Sequence, residues 1–226
     1  MIEKRIRYSK TGILKFIGHL DMLRTFQRAF RRASVPLEYS KGFNPHPLVS
    51  FANPLGLGMT SEDEYADITL ETEMENEEIV RRMNEELPPG LNVTGCVDLP
   101  EHAPSVMSIV TASEYIITLP EGLKDQPEAV AKFLEQPQIM IRKLGKIRGR
   151  KQWMDLDVKP LIYEYELTEP GTLRMVCACG SIQNLKVDAL LESLYQYLEH
   201  PEWTYEEKIH RTHLYQTVEG QLCPIL

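Results

Sequence analysis

The chain has 226 residues, 42% of them apolar and 8% aromatic, which suffices to bury cores and excludes a disordered polymer. Its formal charge of −8 excludes indiscriminate adhesion to polyanions. No apolar run approaches the ~20 residues of a membrane-spanning helix, which excludes a helical membrane protein.

In chain order, residues 4–8 alternate Ile6 and Tyr8 against Arg5 and Arg7, the pattern of a strand, and Thr11-Gly12 turns the chain. Between 19 and 33 the apolar residues Leu20, Leu23, Phe26, Phe30 and Ala33 recur at helical spacing, and Pro36 follows as a stop. Residues 48–51 and 65–70 alternate as strands. Residues 76–87 form an amphipathic helix on Ile79, Val80, Met83 and Leu87, ended by Pro88-Pro89-Gly90, and 91–97 form another strand. The order β-α-β-β-α-β predicts a ferredoxin-like domain over residues 1–100.

Residues 100–108 carry two prolines and read as a linker. The pattern then repeats more loosely: strand at 115–119, helix at 127–134, short strand at 139–141, hairpin of 161–167 with 172–178 across Glu169-Pro170-Gly171, helix at 187–198 and strand at 208–215. The predicted fold class is therefore α+β, two tandem ferredoxin-like domains with antiparallel sheets, the second over residues 109–226.

The N-terminal residues enter a strand pattern without the apolar core of a signal peptide. The four cysteines, Cys96, Cys177, Cys179 and Cys223, are too scattered for a disulfide framework. Both observations predict a cytoplasmic protein. Cys177 and Cys179 share a strand face but lack nearby partners, so neither a metal nor a cofactor is expected.

Charge is strongly partitioned. Residues 1–60 hold ten Lys and Arg against three acids, residues 61–140 four against eighteen, and residues 141–160 seven against two. Three basic features follow. On the first helix Arg24, Arg28, Arg31 and Arg32 share one side, and Asp21, at i−3 to Arg24, is the one acid placed to neutralise any of them. Unpaired guanidiniums suit phosphate oxygens, against the alternative of a solvated helix face. Gly18-His19-Leu20-Asp21 opens that helix: His19 can bind phosphate or move a proton, and Asp21 can cap the helix or orient His19.

The second feature is the run Tyr39-Ser40-Lys41-Gly42-Phe43-Asn44-Pro45-His46-Pro47. Lys41 is a phosphate ligand, Phe43 a stacking face, Asn44 and His46 readers of substrate, and the prolines stiffen the backbone. The alternative is a turn with Phe43 in the core. The third is the glycine-bearing stretch 143–153, a basic loop in which Lys146, Arg148 and Arg150 meet a phosphate backbone and Trp153 stacks.

The block 5–67 resembles the radical SAM-linked domain family of unknown function. The resemblance rests on Gly18-His19-Leu20-Asp21, Arg28-Ala29-Phe30-Arg31-Arg32, the run 39–47 and Glu64-Tyr65-Ala66-Asp67. Weaker later anchors are Asp157-Val158-Lys159-Pro160, Gly180-Ser181 and Arg211-Thr212-His213-Leu214-Tyr215. The resemblance implies a bacterial protein found beside, or fused to the C-terminus of, a radical SAM protein, and supplies no catalytic assignment. A more distant similarity is to RAMP-type CRISPR RNA-processing endoribonucleases, which are tandem ferredoxin-like proteins. Their glycine-rich loop near the C-terminus is missing here; Cys179-Gly180-Ser181 stands in its place.

The sequence expectation is an RNA-binding accessory protein, more a non-catalytic partner than an enzyme, presenting structured RNA (tRNA or rRNA) to a radical SAM protein. One alternative is a metal-independent ribonuclease with His19 and His46 as base and acid and Lys41 on the developing charge. The other is a protein-docking adaptor that works without RNA.

Overall fold

The first strand shows how this chain builds a sheet covered on both sides. In the computed structural model, β1 (Ile2–Lys10) buries Ile6 and Tyr8 on one face and Arg5 on the other. Residues 2–147, 150–204 and 206–226 are described, with the backbone alone for 144, 146, 147 and 150. The elements that follow are α1 (His19–Arg32), β2 (Val49–Phe51), β3 (Thr60–Leu70), α2 (Asn76–Glu86), β4 (Leu91–Asp98) and α3 (Val106–Ile109). Then come β5 (Val110–Thr118), α4 (Pro127–Leu134), β6 (Met140–Ile147), β7 (Arg150–Asp157), β8 (Ile162–Glu169), β9 (Thr172–Ala178), α5 (Val187–Tyr197), β10 (Lys208–Val218) and β11 (Gln221–Pro224). The described residues are thus a mixed α+β structure, mostly sheet, with five α-helices.

The chain divides into two units, one of residues 1–111 with 210–226, the other of residues 112–209. In the first, the strands run β4-β1-β3-β2, each pair antiparallel. Against one face lie α1, through Met22, Phe26, Ala29 and Phe30, and α2, through Ile79 and Met83. They enclose Ile6, Tyr8, Phe51, Ala66, Ile68 and Leu70. Tyr8, Phe26 and Phe51 meet edge to face, with centroids 4.9–5.9 Å apart. Each fully buried large side chain contributes about 1.5–3 kcal/mol by leaving water. This core fixes the ends of β1, β2 and α1, where the candidate residues lie.

Two features depart from the antiparallel plan expected of the sequence. His210 and Arg211 of β10 pair in parallel with Thr60 and Ser61, along the first half of β3, while β2 pairs with its second half. A strand returning after a long connection is free to enter in either direction, which no hairpin allows. β10 then turns on Glu219 and Gly220, both at positive φ, into β11, the two-residue turn that suits strand twist. The stretch 100–108, expected as a linker, is tied down: Val106 is fully buried and donates its N–H to Asp67 Oδ2 at 2.6 Å.

In the second unit β9 pairs antiparallel with both β5 and β8. Gly171, at positive φ, turns β8 into β9. α4 begins on Pro127, where the missing N–H is no loss, and buries Val130, Phe133 and Leu134. α5 buries Leu190, Leu191, Leu194 and Tyr195. The main correction lies at 140–157. A short strand and a basic loop were expected there; the chain instead makes a separate two-stranded sheet of β6 and β7. Lysine and glycine depress strand propensity, but cross-strand pairing overrides it.

Candidate nucleic-acid interface

The run 39–47 closes on itself. Tyr39 and Pro47 form an isolated bridge, and Ser40 N donates to His46 O at 2.9 Å. Ser40 Oγ accepts from His46 N at 3.1 Å and shares a hydrogen bond with His46 Nδ1 at 2.8 Å. Gly42 holds φ +142, a conformation that L side chains rarely adopt. The closed loop displays Lys41, Phe43 and Asn44 to solvent, and Phe43 is 106% exposed. That excludes the core reading of Phe43. A phenyl ring in open water with a lysine two residues away is the arrangement a base can cover.

On α1 the four arginines are exposed, as the helical pattern requires. Four unpaired guanidiniums were expected; the structure leaves two. Arg32 Nε meets Glu86 Oε2 of α2 at 2.6 Å, and its Nη2 donates to Glu86 O. Arg24 Nη1 reaches Asp21 Oδ1 at 3.3 Å. Spacing rules along one helix cannot see a carboxylate delivered by the next. Among the described residues Arg28 and Arg31 make no ion pair. The expected cap is not made either: Gly18 is the N-cap, no side chain caps the helix, and the Asp21 carboxylate faces Arg24 rather than His19.

The two histidines are held differently. His19 meets the Phe51 ring edge-on at 5.9 Å, and its buried Nδ1 has no hydrogen-bond partner among the described residues. His46 is exposed, with Nδ1 turned to Ser40 and 3.4 Å from Asn44 O. No hydrogen bond or ring contact joins them among the described residues.

In the second unit, the β6–β7 ribbon pairs Leu144 with Trp153 and Arg142 with Asp155. Trp153 is 61% exposed, and the Arg142 guanidinium lies 5.5 Å from its ring centroid, a cation–π contact. Arg142, Lys143 and Lys151 are exposed. The side chains of Lys146, Arg148 and Arg150 lie outside the described residues. Asp157 secures the base of the ribbon, where Oδ1 accepts from Ile139 N and Lys159 N, both at 3.0 Å.

Back in the first unit, the sheet face away from α1 and α2 carries a cleft of about 330 Å³. Its floor includes Ser50 and Asp67, directly paired across β2 and β3. Arg5 grips Asp67 with Nε to Oδ1 at 2.7 Å and Nη2 to Oδ2 at 3.1 Å, and also donates to Pro104 O at 3.0 Å. His46 stands at the cleft, so the closed loop and the cleft share a residue.

A second buried charge group closes the opposite end of β1. Arg211 Nη1 lies 3.4 Å from Glu64 Oε1 and donates to Asn53 O at 3.2 Å, and Lys10 Nζ donates to Ile17 O at 3.1 Å. All three charged residues are at most 2% exposed. Burial pushes the Glu64 carboxyl above its usual range, partly offset by Arg211. Burial also lowers the Lys10 ammonium, which Glu64 opposes and Arg211 reinforces. Burial raises the Tyr8 phenol well above its usual range, with Glu64 adding to the shift.

A family described as an uncharacterized protein conserved in bacteria (DUF2344) matches residues 4–187. The chain belongs to this family. The matched span takes in the closed loop, the ribbon and all of the cleft lining but Glu3. No protein of curated function matches the chain. Among solved structures it is similar to the crystal structure of an unknown protein from Galdieria sulphuraria. Identity is 12% over 96% of this chain and 99% of that one, with a TM-score of 0.27, too low to support an argument.

Sequence reading missed Lys10, Glu64 and Arg211 as buried groups. A signal was present for the first two. Lys10 continues the inward Ile6, Tyr8 alternation, and Glu64 shares its parity with inward Ala66 and Ile68. Arg211 gave none, because its neighbour across the sheet is Ser61, 150 residues earlier. Among the described residues no group of three His, Cys, Asp or Glu could hold a metal, and no helix is long and apolar enough to cross a membrane.

Proposed function

We propose that this protein is a non-catalytic, cytoplasmic RNA-binding accessory that presents structured RNA, of the tRNA or rRNA kind, to a radical SAM partner. The observation that carries the RNA reading is Phe43, fully exposed on a backbone-closed loop with Lys41 and Asn44. An exposed ring on a stiff loop loses little ordering entropy when a base stacks on it. The Trp153–Arg142 pair on the β6–β7 ribbon offers a second stacking surface in the other unit. Arg28, Arg31 and Lys41 supply charge for phosphates. The partner class rests on the sequence resemblance of the 5–67 block. The order β4-β1-β3-β2 supports reading the first unit as ferredoxin-like. An accessory role rather than cleavage is favoured because His19 is packed on Phe51 and His46 is tied to Ser40.

The test is fluorescence anisotropy with single-stranded RNA. Three neutralised phosphates predict a slope of log K against log salt of about −2, and Arg28→Ala with Arg31→Ala reduces it toward about −0.7. Phe43→Ala weakens binding by about 1–3 kcal/mol without changing stability. Salt-independent binding, or unchanged affinity in Phe43→Ala, overturns the reading.

A further inference from the structure

The cleft beside β2 has walls and polar groups that the RNA reading has not yet used. Pro47, Leu48 and Leu99 give it apolar sides. Glu3, Ser50 and Ser105 give it hydrogen-bond acceptors. Asp67, although in the floor, is spent: its oxygens already accept from Arg5 Nε, Arg5 Nη2 and Val106 N. Arg5 is spent on the same pair and on Pro104 O. The remaining charge is therefore the Glu3 carboxylate, which has no ion-pair partner among the described residues. An anion is disfavoured here, and a neutral ligand that donates hydrogen bonds is favoured.

At about 330 Å³ the cleft lies at the small end of ligand sites, suited to one small planar group. It is also preformed. The segment that covers it is pinned by Pro104 O on Arg5 and by Val106 N on Asp67, so its shape does not depend on a ligand. His46 lines the cleft and stands on the same closed loop as Phe43, three residues on, so their Cα atoms lie within about 11 Å, a spacing that neighbouring nucleotides of one strand can span. Single-stranded RNA is read through unstacked bases whose edges enter such recesses.

We infer that this cleft receives one unstacked nucleobase bearing an exocyclic amine, donated to Glu3, with the ring held between Leu48 and Leu99. The inference rests on the RNA reading of the loop and adds a base preference to it. Cytosine and uracil test this: C4 carries an amine in cytosine and a carbonyl in uracil, and uracil's own edge donor sits at N3 instead.

The experiment compares short cytidine and uridine homopolymers by anisotropy against the full chain, its Glu3→Gln and Ala103→Trp variants, and Phe43→Ala. Ala103 lines the cleft, and a tryptophan there fills it. The expected result is roughly tenfold tighter binding of the cytidine polymer, as for a hydrogen bond to a charged group. Glu3→Gln and Ala103→Trp abolish that preference and leave uridine binding intact, whereas Phe43→Ala weakens both polymers alike. Should Ala103→Trp fail to fold, Glu3→Gln decides alone. Equal binding of the two polymers, or a preference that survives a folded cleft variant, overturns the inference and leaves the RNA reading standing. If neither polymer binds, the RNA reading falls, and saturation-transfer NMR with free cytidine and uridine decides the cleft. A cytidine signal lost in Glu3→Gln supports it, and equal or absent signals overturn it.

Discussion

β1 carries buried charge at both ends, and the two ends are built on opposite terms. Near its start, Arg5 and Asp67 meet in two parallel hydrogen bonds, and the leftover capacity of each is taken by Val106 N and Pro104 O. At its finish, Arg211 meets Glu64 across a looser 3.4 Å contact, and the Lys10 ammonium donates to the neutral Ile17 O. The first group is matched in charge and in hydrogen bonds. In the second, a buried ammonium has a neutral backbone carbonyl as its hydrogen-bond acceptor. A matched buried pair braces a fold, while an unmatched one is retained at the expense of stability. The bracing pair is also what shapes the cleft, so structure and proposed binding are coupled at that end.

The largest effect should come from breaking the brace. Asp67→Ala strands Arg5 and Val106 N in the interior and is expected to lower stability by about 3–5 kcal/mol, read from urea unfolding. A loss below about 1 kcal/mol would show that the two ends of β1 do not differ as described. A smaller effect of opposite sign is expected at the other end. Lys10→Met leaves Arg211 and Glu64 as a neutral pair and should raise stability at neutral pH by about 1 kcal/mol. The sign follows from the ammonium being held below its usual pKa of 10.5 in the folded chain. Its contribution is complete above that value and is lost as pH falls through the folded pKa. The advantage of Lys10→Met should therefore vanish when urea midpoints are compared above pH 10.5. An advantage that is the same at both pH values would assign it to packing instead. The smallest effect belongs to charge left at the surface. Arg32→Ala removes a half-exposed pair with Glu86 and is expected to change stability by less than about 1 kcal/mol. A larger loss would place the α1–α2 contact among the braces.

Much of the fold could be read from the sequence where the signal is local. The helical spacing of Phe26 and Phe30, the β8–β9 turn at Gly171 and the start of α4 on Pro127 all describe interactions within a few residues. The 140–157 ribbon escaped because glycine and lysine speak for a loop, although its strands pair over the same short separations as β8 and β9. The candidate loop was legible as a motif. Its closure through Ser40 and His46, and the full exposure of Phe43, were not.

What the sequence alone determined is the kind of element at most stretches outside 100–108 and 140–157, and the basic character of the 1–60 block, since propensity, periodicity and charge are properties of neighbours along the chain. Only the tertiary structure decided which charges are free. Glu86 reaches Arg32 from another helix, Asp67 reaches Arg5 across a sheet, and Arg211 reaches Glu64 from near the end of the chain. Whether a cation is available to a phosphate depends on what stands within about 4 Å of it, and that distance is set by packing rather than by order along the backbone.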